Sequence, residues 1–306
     1  MMSVYLVCEG PADGLDVRVL DLVIAQKLGR AVQIIPAGGE RSLGSVASWL
    51  EERSRRPLAD GALSPPADRA YAVEDRNFRS LEEVKRIWQQ PHQKRWVWWR
   101  HEIENYLLDP RLVADAFRAL KTAHVRGADA LPSDPNIVLH LLQGLARPML
   151  EDHAGWLTYW RLVSHKRDTV DTRLLWPHRP LQPSPGSSYP GRAEWLDYLR
   201  SECLRLKRAC QQVSENTTFD EPSIVETYDG VLSQVIHPDF LTSGRFLLDM
   251  GGHELMSSLC VHIHQAGVTR LSRSDLETEF LNALDRLYEP GFFDPDDFAQ
   301  LAEKVV

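Results

Sequence analysis

A chain of 306 residues with 43% hydrophobic and 25% charged residues falls among soluble globular proteins. It is long enough for one large domain or two ordinary ones. Its net charge of −8 excludes a uniformly basic nucleic-acid binder. No apolar run approaches the ~18 residues that a membrane-spanning helix needs, and Cys8, Cys203, Cys210 and Cys260 are scattered without a CxxC pair, which excludes a zinc ribbon and a disulfide framework. Met1-Met2-Ser3 runs directly into VYLV with no basic signal region, so the expected location is the cytoplasm. The charge is uneven: residues 160–210 carry ten basic and five acidic side chains, residues 211–306 five basic and seventeen acidic. A basic segment inside an acidic protein can steer a polyanion locally, or can be a solvated helix face.

Ser3 to Cys8 reads as a central parallel strand stopped by Glu9-Gly10-Pro11. Asp13 to Leu28 carries apolar residues at helical spacing and ends at Gly29. Ala31 to Ile35 is a second strand and Leu43 to Arg53 a second helix; Pro57 to Asp68 is a loop. Ala70 to Val73 forms a third strand that breaks abruptly into Glu74-Asp75-Arg76-Asn77. After a helix over Leu81 to Gln90, RWVWW at 95–99 is a fourth strand, leading into Arg100-His101-Glu102-Ile103-Glu104. Alternating strands and helices predict a parallel sheet. Beyond Pro110 helical periodicity dominates, so the expected organisation is an α/β domain over 1–110 and a mainly helical domain over 111–306 that serves partner or dimer contacts.

Acidic or amide residues therefore stand at three strand ends: Glu9 and Asp13, Asp75 and Asn77, Glu102 and Glu104. In a parallel sheet those ends share one edge, so carboxylates far apart in sequence can converge there. Converging carboxylates repel one another unless a cation neutralises them, and hard oxygen ligands suit Mg2+ or Mn2+, which leave positions for substrate phosphates. Phosphoryl transfer is the natural reading. Asp13 can equally cap the helix that follows. In an extended segment Glu102 and Glu104 cannot both face the site, so Glu104 is taken for the site and Glu102 as a structural partner of Arg100 or His101. Trp96, Trp98 and Trp99 are core aromatics or base-stacking platforms.

Glu9-Gly10-x-x-Asp13 after a first strand, with Asp75-x-Asn77 after a later one, resembles the TOPRIM domain of topoisomerases, primases and OLD-type nucleases. DRNF at 75–78 followed by RHEIENYLLDP at 100–110 is similar to the OLD-like group of anti-phage defence, which includes the TOPRIM effector of PARIS systems. The likeness covers residues 3–110, with an echo at Gly251-Gly252-His253-Glu254-Leu255. It implies a TOPRIM-like Rossmann-type sheet and a Mg2+- or Mn2+-dependent nuclease. In it Glu9, Asp75 and Glu104 would be catalytic, and Glu9, Asp13, Asp75, Asn77 and Glu104 would form the metal set. The family's second aspartate is Asn77 here, which removes a charge but keeps one oxygen. Lys166, Arg167 and Arg173, with Arg161 and Arg179 nearby, could hold a nucleic-acid backbone. The chain has no GxxxxGK[ST], so any ATPase must come from a partner; the resemblance implies one of the ABC or AAA type that silences a toxic effector until infection. A homodimer is also compatible. The competing reading is a weakened TOPRIM-like module that mainly binds a partner protein.

Overall fold

The computed structural model describes residues 3–56, 58, 63–90, 94–164, 177, 181, 188–211, 221–268 and 271–305. Its centre is a four-stranded sheet of β1 (Val4–Cys8), β2 (Val32–Pro36), β3 (Arg69–Glu74) and β4 (Arg95–Val97), in the order β2-β1-β3-β4. All neighbours are parallel, with registers Val4↔Val32, Val7↔Ala72 and Glu74↔Val97. β1 is buried along its whole length and β3 along all but its first residue, as apolar runs in a parallel sheet should be. Tyr5, Val7, Ala70 and Ala72 meet Leu43 and Leu50 of α2 (Glu40–Glu52) on one face. The α/β expectation holds.

Between β1 and β2, α1 (Leu15–Leu20) continues into a π-helical stretch, Asp21–Lys27, whose Val23 and Ile24 are fully buried. α3 (Leu81–Gln89) starts on a reciprocal cap in which Ser80 and Glu83 satisfy each other's backbone N–H groups. After β4 the chain turns into a short α4 (Glu104–Leu107) and then α5 (Pro110–Thr122).

The chain divides into two compact units: 1–139 with 251–306, and 140–250. This differs from a boundary at 110. The boundary at Leu139/His140 falls within α6 (Pro135–Ala146). The second unit packs α7 (Leu150–Ser164) against α8 (Arg192–Gln211) and α9 (Glu221–Val235), followed by α10 (Pro238–Thr242) and α11 (Phe246–Asp249). The last segment, α12 (Gly252–Gln265), α13 (Arg273–Leu287) and α14 (Asp297–Lys304), belongs to the sheet unit. The physical reason is burial. Phe298 of α14 is fully buried among Trp98, Tyr106 and Phe293, and the buried Asp297 carboxylate accepts from the Trp99 N–H at 2.6 Å and from the Tyr106 hydroxyl. Trp96 and Trp98 are core, not stacking platforms, at 2% and 1% exposure. Among the described residues no helix is long and apolar enough to cross a membrane.

Candidate active site

Because β1 and β3 are hydrogen-bonded neighbours, Glu9 and Asp75 leave the sheet side by side, and the Asp75 N–H donates to Glu9 Oε1 at 3.2 Å. The last residue of β3, Glu74, is buried but matched: Arg95 donates to both of its oxygens at 2.7 and 2.6 Å, and Arg79 to one at 3.2 Å. That clamp fixes the strand end from which Asp75 departs. Beyond β4 the chain folds back, with the Arg76 N–H donating to the His101 carbonyl at 3.0 Å. The Glu102 N–H donates to Asn105 Oδ1 at 2.9 Å. Glu102 and Glu104 thus sit in a turn and the first turn of α4, and both act on Asp75. The restriction of an extended segment does not apply, and Glu102 joins the site while also standing 3.8 Å from the His101 imidazole.

Asp75 is the focus. Its Oδ1 is shut from solvent and makes no hydrogen bond. Burial, followed by the charges of Glu9, Asp16, Glu102 and Glu104, pushes its carboxyl well above the usual range. Burial and then the charges of Glu104 and Glu254 push Glu102 up to about 7, against the pull of the His253 N–H, which donates to its Oε2 at 2.8 Å. Asp16, in the first turn of α1, is half-buried, and burial followed by the Glu104 charge raises it to about 6.

Asp13 is exposed on the turn before α1, and the helix cap is Gly14 with no side-chain cap bond, so Asp13 does not cap the helix. Asn77 and Phe78 follow Asp75 in left-handed backbone, with φ of 47° and 61°, which asparagine tolerates better than most residues. Among the described residues no hydrogen bond joins the Asn77 side chain to the carboxylates.

The cationic side of the site comes from α12 and α13. Arg273 lies 3.3 Å from Glu104 Oε1 and 2.8 Å from Glu277, and its guanidinium lies against both ring nitrogens of His253 at 2.9 and 3.0 Å. His253 Nδ1 is 3.5 Å from Glu104 Oε1, and that hydrogen bond is the main reason the imidazole holds its proton above the usual range. α12 comes this close because residue 252 is glycine; a Cβ there would stand 2.7 Å from Asn105 Oδ1 and 2.8 Å from its N. The Gly251-Gly252-His253-Glu254 echo is therefore part of the site. Asp16 and Arg273 carry no sequence signal that singles them out. Lys166, Arg167, Arg173 and Arg179 lie outside the described residues. Arg161 is exposed and donates to Gln234 at 3.1 Å. Trp99 is half-buried, with Lys85 5.4 Å above its ring.

The donor set is all oxygen and its central atom, Asp75 Oδ1, is unsatisfied, which fits a hard divalent cation in chemistry. Among the described residues no three His, Cys, Asp or Glu side chains stand close enough to share an ion. Compared with known proteins, the chain matches no family model and no curated sequence.

Proposed function

We propose that the chain is a Mg2+- or Mn2+-dependent nuclease of the TOPRIM kind, acting on DNA or RNA, with tRNA among its candidate substrates. We further propose that it is the cytoplasmic toxic effector of an anti-phage defence system held in check by an ABC- or AAA-type ATPase partner. One observation carries the enzymatic part: four carboxylates from two chain segments, 9–16 and 102–104, press on Asp75, whose buried Oδ1 lacks a partner. Glu9, Asp75 and Glu104 are the residues that would hold a cation. Bound there, it would polarise a phosphoryl oxygen and acidify a water.

Burial and the neighbouring charges raise the Glu102 carboxyl to about 7 in the metal-free chain, so it is the group suited to take a proton from the attacking water as one P–O ester bond breaks, and to return it to the leaving oxygen. Arg273 and His253 place positive charge at the rim, where an anionic phosphate backbone would approach.

The test is cleavage of plasmid DNA and total tRNA by the purified protein with Mg2+, Mn2+ or EDTA. Metal-dependent cleavage that is lost in Glu9→Ala and Asp75→Asn is expected; cleavage unchanged in Asp75→Asn would sink the proposal. A second reading, a weakened module that mainly binds a partner protein, is favoured by Asn77, an amide where TOPRIM proteins carry an acid. It predicts Mn2+ binding without cleavage of any substrate.

A further inference from the structure

We propose that Phe78 is a positioning residue, whose ring holds the His101 imidazole beside Glu102 and so ties together the two strand-end loops that carry the site. The inference rests on the nuclease reading above and names the side chain that orients its proton carrier.

Among the described residues three non-glycines have left-handed backbone: Asn77, Phe78 and His124. Asparagine and histidine visit that region more often than most residues, whereas for a bulky side chain it is an outlier. Phe78 is that outlier, with φ of 61° directly after Asn77 at 47°. A glycine would adopt the same φ without steric cost, so what residue 78 supplies is its ring. Full burial is not the reason, because Phe78 is only half-buried. Backbone strain held beside reacting groups points to what the strained residue positions.

The Phe78 and His101 ring centroids lie 4.3 Å apart with the planes at 67°, an edge-to-face contact. His101 is buried, and its Nε2 stands 3.8 Å from Glu102 Oε1. The same two loops are joined through Arg76, whose N–H donates to the His101 carbonyl and whose Nη1 donates to the Trp99 carbonyl, both at 3.0 Å. Those bonds fix the backbone after β4; the Phe78 ring fixes the imidazole. Arg79 Nη1 donates to the Asp75 carbonyl at 2.8 Å and closes the turn on its other side. Asp75 on one loop and Glu102 on the other are thereby held in register.

The experiment measures Mn2+-dependent cleavage by the full chain and its variants, with circular dichroism to verify each fold. In the metal-free proteins it also follows the proton resonances of the His101 ring, assigned through His101→Gln. Phe78→Leu keeps an apolar side chain without the aromatic ring. It should slow cleavage by about tenfold to a hundredfold, the scale of a misplaced catalytic group, and should move the His101 resonances as the ring current is lost. Phe78→Tyr keeps the ring and should preserve both. Phe78→Leu added to His101→Gln should slow cleavage no further, since residues that act through one another do not add. Phe78→Met gives the same reading if the leucine variant does not fold. A folded Phe78→Leu that cleaves at the starting rate, unmoved His101 resonances, or a double variant slowed by the product of the two single effects overturns the inference and leaves the nuclease reading standing. No cleavage by the starting protein overturns both.

Discussion

Glu102 couples the site to pH. Burial and the nearby charges raise its carboxyl to about 7, and burial and Glu104 raise Asp16 to about 6, whereas both groups titrate near ~4 in an unfolded chain. Between those values the folded chain keeps protons that the unfolded chain has released, so stability falls as pH rises through that window. For Glu102 the loss once ionised is on the order of 3 kcal/mol. The metal-free protein should therefore melt at a lower temperature at pH 8 than at pH 5, and Glu102→Gln should flatten the profile; a profile rising over that range would contradict the repelling cluster. Asn77 has a backbone role as well as a chemical one. Asn77→Ala, forced into left-handed backbone, should cost about 1 kcal/mol in a urea titration, and Asn77→Gly less. Asn77→Asp keeps that tolerance, so a gain in Mn2+ affinity at unchanged stability would report the restored charge alone.

At the level of elements, α12 to α14 decide whether the sheet unit holds. Phe298 is fully buried against Trp98 and Tyr106, so Phe298→Ala should cost about 3–5 kcal/mol in denaturant unfolding. Truncation after Met250 should leave the sheet unit unable to fold. A folded, metal-binding product would show instead that the sheet unit folds without residues 251–306. Arg273→Met should lower stability by about 1–3 kcal/mol by leaving Glu104 without its guanidinium. The same change should tighten Mn2+ binding, because Arg273 and a cation compete for Glu104.

The sheet was legible because each strand is an apolar run ending in charge, and the same signal located Glu9 and Asp75. Glu102 and Glu104 were legible as a pair, but not their common direction, which depends on the turn held by Asn105. Asp16 was hidden in helix phase: the Pro11–Gly14 turn, closed by a 2.8 Å hydrogen bond, sets which face of α1 meets the strand ends. Arg273 arrives from a segment more than 160 residues beyond Glu104, and no local pattern encodes that docking.

For the molecule as a whole, an acidic chain concentrates unbalanced negative charge at one sheet edge, and a divalent cation that binds only the folded state should stabilise it by mass action, about 2.7 kcal/mol at a hundredfold excess over Kd. The most direct measurement is calorimetric titration of Mn2+ into the full chain and into Asp75→Asn at pH 8, with circular dichroism to verify the fold of both. The account predicts saturable binding by the starting protein and its loss in a folded Asp75→Asn. Equal binding by the two, or none by the starting protein, would contradict it.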